Sequence, residues 1–328
     1  MVVAGTIAVE VLLVAYALEE PPPAPGLALG HVVPQLSATS PAVRDLQPYA
    51  GFGAWVDGFD YGYAYQADAA PPPVTARVID DLAAHGVKTL FLQAARADTR
   101  SPEGFVEPEI VAEMLIRAHK VGIKVVAWYL PRFRSVEEDV GHLNRLADLD
   151  VIGHRFDGIA VDIEYTDDAP DLAERNQRLI ELSTQFRAAR PGESIGAIVL
   201  PPVQIEVINK RLWPDFPYAE IKGSYDVWLP MSYWTFRTEE YGDGYTYNEE
   251  STRRLRADLD DPRAVVHGIG GIGDVATREQ LDAFARSLAD TSSVGGSIYD
   301  WNSMTPATRA AVAELFQHGT AASLVAPP

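Results

Sequence analysis

Cysteine is absent from all 328 residues, which excludes disulfides, thiolate nucleophiles and zinc–thiolate sites and leaves the redox compartment open. Basic residues are scarce: 27 Lys and Arg stand against 46 Asp and Glu, a formal charge of -19 with a pI near 4.7. Affinity for phosphate backbones comes from Lys and Arg, so nucleic acid is not an expected partner. Histidine is sparse as well, and no cluster stands at ligand spacing, so no metal or cofactor is expected. A Gly-x-Gly-x-x-Gly turn after the first apolar run is missing; that run ends in WVDGFDYG (55–62), which removes a dinucleotide-binding reading.

Long apolar runs are confined to the start of the chain. Residues 1–18, MVVAGTIAVEVLLVAYAL, contain a small-x-small Ala15-Tyr16-Ala17 and read as an export signal or a membrane anchor, although Glu10 interrupts them and no Lys or Arg precedes them. Residues 19–48 are rich in Pro, Ala, Gly and Ser and read as a linker, and 320–328 as a tail. This organisation predicts a secreted or membrane-anchored extracellular protein. Oligomeric state is left open.

From residue 49 to 319 one unit repeats: a short apolar run, a polar loop, then a segment of helical spacing. The apolar runs are 52–60, 88–95, 124–130, 158–165, 194–202, 226–234, 264–272 and 296–302. Helical spacing is read over 74–86, 107–121, 135–149, 170–190, 203–222, 248–259, 277–290 and 305–317. Strict alternation implies a parallel sheet covered by helices, and eight repeats predict an α/β fold of the (β/α)8 TIM-barrel kind in a single domain.

Barrel chemistry gathers at the C-terminal ends of the strands. Those ends offer Trp55, Asp57 and Asp60; Gln93 and Arg96; Trp128, Tyr129 and Arg132; Asp162 and Glu164; Met231, Tyr233 and Trp234; His267; and Tyr299, Asp300, Trp301 and Asn302. Aromatic faces stack on the C–H faces of sugar rings, and carboxylates hydrogen-bond hydroxyls or move protons at a glycosidic oxygen. A carbohydrate is therefore the expected ligand. Each residue also has a structural reading: the tryptophans as core, Asp57 and Asp60 as turn caps, His267 as a satisfied barrel histidine.

The stretch FDGIAVDIEY (156–165) is the most informative. Ile159, Val161 and Ile163 alternate with Ala160, Asp162 and Glu164, so the two acids share one strand face with Cα atoms about 6.6 Å apart. Acids in an apolar strand need pairing or a raised pKa, and a raised pKa suits a general acid at neutral pH.

DGIAVDIE (157–164) resembles the strand-four signature of family 18 glycoside hydrolases, the chitinase-like barrels, D-G-x-D-x-D-x-E. Asp157, Gly158, Asp162 and Glu164 match, while Ala160 occupies the place of the third acid. PMSYW (230–234) resembles the strand-six M-x-Y-[DN] motif, with Trp234 after the tyrosine, and Trp301 falls where the family sets a tryptophan under the sugar. The resemblance implies that Glu164 is the general acid, that Asp162 orients an N-acetyl group acting as internal nucleophile, and that Tyr233 hydrogen-bonds that group. Outside that family, Asp300 or Asp57 would be the second carboxylate. Two other readings stay open: a non-catalytic carbohydrate-binding barrel, motivated by Ala160, and a phosphate-binding barrel, motivated by the glycine-rich HGIGGIGDVATREQ (267–280). EEYGDGYTYNEE (239–250) reads as an acidic, aromatic loop that either walls the cleft or is merely solvated.

Overall fold

Each of the eight apolar runs forms a strand in the computed structural model, which describes residues 44–67, 70–101, 104–166 and 171–318. The strands are β1 Gly51–Val56, β2 Thr89–Arg96, β3 Lys124–Leu130, β4 Gly158–Ile163, β5 Ile195–Val199, β6 Val227–Pro230, β7 His267–Ile272 and β8 Gly295–Tyr299. The expected signal or anchor (1–18), most of the expected linker and the tail lie outside the described residues, all of which fall within one unit, Ala42–Pro328. Among the described residues no helix is long and apolar enough to cross a membrane.

Every strand pairing is parallel, in the order β6-β5-β4-β3-β2-β1-β8-β7. The ring nearly closes between β6 and β7 through the bridges Trp228 to Val266 and Met231 to Ile269. Side chains alternate between two apolar layers, since successive strand residues face opposite sides. One layer fills the barrel interior and includes Trp55, Phe91, Trp128, Ala160, Ile198 and Leu229. The other lies between the sheet and the helices. Burial on both faces explains why the strands read as nearly continuous apolar runs.

The helices are α1 Gly58–Tyr61, α2 Val78–Ala84, α3 Pro108–Lys120, α4 Val136–Asp148, α5 Leu172–Ala189, α6 Tyr218–Ile221, α7 Gly244–Asp258, α8 Arg278–Asp290 and α9 Pro306–His318. Side-chain caps set several starts: Ser135 accepts from Glu138 N–H, Asp243 from Thr246 N–H, and Thr277 forms a capping box with Gln280. Two expectations change. The segment 203–222 is not one helix but a π-helical turn, Val203–Ile208, followed by irregular chain and the short α6. Pro214 and Pro217 lack an N–H and push the residues before them out of helical geometry. The segment 239–250 is not a loop: after a 3-10 turn, Glu239–Gly242, it becomes the start of α7, which buries Tyr247 and Asn248.

Residues 44–48, read from sequence as the end of the linker, belong to the base of the barrel. Arg44 pairs with Asp226 at 2.7 Å, and a 3-10 turn, Gln47–Tyr49, delivers Tyr49 into the interior. Its hydroxyl donates to the carbonyls of Ile159 at 2.9 Å and Ser194 at 3.1 Å. Gly158 and Gly196 make room for the ring, since a Cβ there would stand 2.9 Å from the Tyr49 hydroxyl and 2.8 Å from its Cε1, respectively.

Candidate active site

Inward-facing positions carry Trp55 and then Asp57 from β1 into a cleft at the C-terminal end of the barrel. They add Gln93 from β2, Trp128 and Leu130 from β3, Ile198 from β5, Met231 and Tyr233 from β6 and its following turn, and Tyr299 from β8. β4 contributes Asp162 and, one residue beyond its end, Glu164. Phe59 and Arg96 complete the lining of a cavity of about 230 Å3. A larger hollow of about 420 Å3 between the ends of α7 and α8 lies at the opposite end of the barrel, lined by Arg253, Arg256, Asp260 and Asp290.

Asp162 is buried and one of its oxygens, Oδ1, has no hydrogen-bond partner. Burial pushes its carboxyl well above the usual carboxylate range, the neighbouring Glu164 raises it further, and Arg96 opposes both. Glu164 stands exposed at the rim, yet the crowding of the cleft walls raises it too. Two carboxyls on one strand face cannot both ionise freely, so the pair titrates as a unit and holds a proton beyond the pH at which free carboxyls lose theirs. Burial and the Glu164 and Asp162 charges also keep the Tyr233 phenol protonated.

The walls are held by fixed contacts. Gln93 Oε1 accepts from Gly58 N–H at 2.9 Å and from Arg96 Nη1 at 3.0 Å. Asp57 is fixed through both oxygens: Oδ1 caps α1, accepting from Phe59 N–H at 2.7 Å, while Oδ2 accepts from the Tyr299 hydroxyl at 2.7 Å. Trp55 stacks on Phe91 at 4.4 Å and donates from Nε1 to Ser297 Oγ at 2.8 Å. The Nε1 of Trp128 is buried without a partner. Ala160 faces the interior with Trp128 and Gly196 as its register partners, so an indole and a glycine flank the place of the motif's third acid.

Four expected site residues do not line the cleft. Tyr129 faces the helix layer, where its hydroxyl donates to Asp139 Oδ1 at 2.5 Å. Trp234 packs against Phe284 at 5.0 Å, with Gly270 and Gly271 opening space for its ring. Trp301 donates from Nε1 to Asp81 Oδ2 at 2.8 Å and lies in the layer between sheet and helices rather than under a ligand. Asp300 accepts from Ser303 N–H at 2.8 Å and joins Asp57 and Asp60 in an acidic knot beside the cleft. Asp157, the first acid of the strand-four motif, anchors the far end of β4, accepting from Val125 N–H at 2.8 Å and Lys124 Nζ at 2.9 Å.

His267 is a satisfied barrel histidine. Its Nδ1 lies 2.8 Å from the Tyr49 carbonyl and its Nε2 2.9 Å from Ser297 Oγ, and burial lowers its pKa to about 4. Because a carbonyl only accepts, Nδ1 carries the proton. The glycines after it are packing residues: a Cβ on Gly268 would lie 2.6 Å from Leu288 Cδ2, one on Gly270 2.5 Å from Ile298 Cδ1, and one on Gly273 2.2 Å from Met304 Cγ. Close packing thus accounts for these glycines without a phosphate.

Phe59, Leu130 and Ile198 line the cleft without having been singled out. Parity would have found the last two, since Leu130 shares a face with Trp128 and Ile198 is the register partner of Asp162.

No protein-family model matches the chain, and no curated protein matches its sequence. In architecture it is similar to a class V chitinase from Nicotiana tobaccum, with a TM-score of 0.58 and 9% identity over 82% of this chain and 99% of that one. It is also similar to the endo-beta-1,4-mannanase from Thermotoga petrophila, with 0.61 and 11% over 83% and 78%. The spore cortex-lytic enzyme SleL of Bacillus megaterium gives 0.56 and 8% over 81% and 74%. The chain thus shares the TIM-barrel fold of these three structures.

Proposed function

We propose that this barrel is a glycoside hydrolase acting on a poly- or oligosaccharide, with Glu164 as general acid. The observation that carries the reading is the coupled pair Asp162 and Glu164, held on one face of β4 in the cleft with both carboxyls raised. Glu164 stands at the rim, where it gives its proton to the glycosidic oxygen as the bond to the anomeric carbon breaks. On an N-acetylated sugar, Asp162 orients the acetamido group so that its carbonyl oxygen closes on the anomeric carbon, and Tyr233 hydrogen-bonds the same group. Water then opens that ring with Glu164 as base. The unpartnered Asp162 Oδ1 and Trp128 Nε1 supply an acceptor and a donor for sugar hydroxyls. An exported enzyme of this kind would meet its polysaccharide outside the cell.

Ala160 favours one second reading, a barrel that binds the glycan without cleaving it, because the inner acid of the motif is replaced by a methyl group among apolar neighbours. Glu164→Gln separates the two. An enzyme loses hydrolysis by about 10²- to 10⁴-fold, the range for a positioned acid, and keeps its glycan affinity. Undiminished hydrolysis in the variant would sink the assignment of Glu164, and glycan binding by a wild type that shows no turnover would establish the second reading.

A further inference from the structure

Beside the cleft, and sharing Arg96 with it, lies a groove of about 450 Å3 over the ends of β2 and β3, lined among others by Arg96, Thr99, Ser101, Arg134, His142 and Arg145. Arginines in a chain of net charge -19 often find carboxylates, as Arg187 does with Asp226 and Arg190 with Asp148. Arg96 and Arg145 form no ion pair among the described residues. Arg96 donates to Gln93 Oε1, lies 4.5 Å over the Phe59 ring, and has a buried Nε with no partner. Arg145 Nη2 donates to His142 Nδ1 at 2.7 Å. Two acids line the same groove. Asp98 is taken by Arg100 through two bonds of 3.0 and 2.7 Å, and Glu138 is exposed, 3.9 Å from His142. Among the described residues the groove thus sets three arginines, Arg96, Arg134 and Arg145, against those two acids in a strongly negative molecule.

We infer that this groove holds the carboxylate of a sugar adjoining the one at Glu164, so that the substrate is an acidic heteroglycan. The inference rests on the glycosidase reading of the cleft and adds its substrate class. The cleft is below the roughly 300 Å3 at which ligand pockets usually begin, so a polymer must continue beyond it. Asp57 and the charge left on the pair of Asp162 and Glu164 repel an anionic ring there, and the reacting sugar is uncharged. The next sugar meets guanidinium groups, whose planar fork matches a carboxylate. A chain alternating neutral N-acetylated and uronic-acid sugars satisfies both places, whereas a homopolymer of either kind satisfies one.

Calorimetric titration of the Glu164→Gln protein tests this without turnover. The probes are tetrasaccharides of hyaluronan (alternating), of chitin (neutral) and of galacturonate (acidic throughout), with a sulfated chitin tetrasaccharide as a fourth. The hyaluronan probe is expected to bind about tenfold tighter than each of the others, the equivalent of one well-placed ion pair. That advantage should shrink as NaCl rises from roughly 0.05 to 0.5 M, because salt screens exposed charge. Adding Arg145→Gln should remove most of it and leave the chitin probe unchanged. Equal affinity for the hyaluronan and chitin probes, an advantage that survives both salt and Arg145→Gln, or no binding by any probe overturns the inference. Preference for the sulfated probe overturns the carboxylate assignment. Loss of neutral-glycan hydrolysis in Glu164→Gln without acidic preference would leave the catalytic reading standing, and acidic preference in a protein without hydrolysis would do the reverse.

Discussion

Asp60 offers a direct measure of what the acidic knot beside the cleft costs the fold. Its Oδ2 accepts from Asp57 N–H at 3.1 Å and its Oδ1 from Asn302 Nδ2 at 2.9 Å. Burial, then the Asp57 and Asp300 carboxylates, raise its pKa from 3.8 to about 7. Between those values the unfolded chain has released the proton and the folded chain still holds it. The contribution of Asp60 to stability is therefore greatest at low pH and is lost as pH rises towards 7. With 1.36 kcal/mol for each pH unit of difference, Asp60 removes about 2.5 kcal/mol of stability between pH 5 and pH 8. Asp60→Asn cannot titrate, but it turns one acceptor into a donor, and its absolute stability at pH 5 should drop by about 1 kcal/mol for the lost bond. The difference between variant and wild type should then move by about 2.5 kcal/mol in favour of the variant from pH 5 to pH 8. Urea unfolding at both pH values, with equal denaturant dependence for the two proteins, measures it. Parallel pH profiles would refute the reasoning, because they would mean that Asp60 ionises in the folded protein as it does in the unfolded one.

Two further substitutions test the placement of residues around the cleft. Trp301→Phe should cost about 1–3 kcal/mol in urea unfolding, through the lost Asp81 bond and the smaller ring, while oligosaccharide affinity stays unchanged; weakened sugar binding would return Trp301 to the cleft. Gly270→Ala should destabilise by about 1–3 kcal/mol, because a new methyl meets Ile298 and Trp234 in a filled space. Inorganic phosphate should shift the melting temperature of neither protein, and a phosphate-dependent shift in the wild type would revive the phosphate-binding reading.

The strands were legible because burial on both faces leaves an apolar run that none of the helices among the described residues imitates. The acid pair was legible for the complementary reason, since Asp162 and Glu164 break such a run on one face only. The aromatic part of the site was legible in half. Trp128 and Tyr129 are adjacent in β3, where only one of the two can face inward, and the two-residue period leaves Trp128 inside and sends Tyr129 to the helices. Tyr233 and Trp234 lie past the end of β6, where the turn rather than the strand period puts Tyr233 in the cleft and Trp234 against Phe284. Trp301 escapes that rule. It keeps the parity of Tyr299, but β8 ends at Tyr299 and the turn that follows redirects the ring towards Asp81. The glycines after His267 were misleading because a packing glycine and a phosphate-loop glycine share a composition, and only the neighbouring Trp234, Leu288 and Met304 side chains distinguish them.

Tyr49 sets a condition on the order in which the molecule is made. Its contacts through the hydroxyl and carbonyl reach 110, 145 and 218 residues along the chain, to Ile159, Ser194 and His267. Contacts of such separation form only after large loops have closed. During synthesis at about 5–20 residues per second, the Tyr49 carbonyl therefore waits roughly ten to forty seconds for His267 of β7 to emerge. Until then the interior of the half-built barrel is open at its base, and the growing chain exposes the apolar strands that the tyrosine will seal.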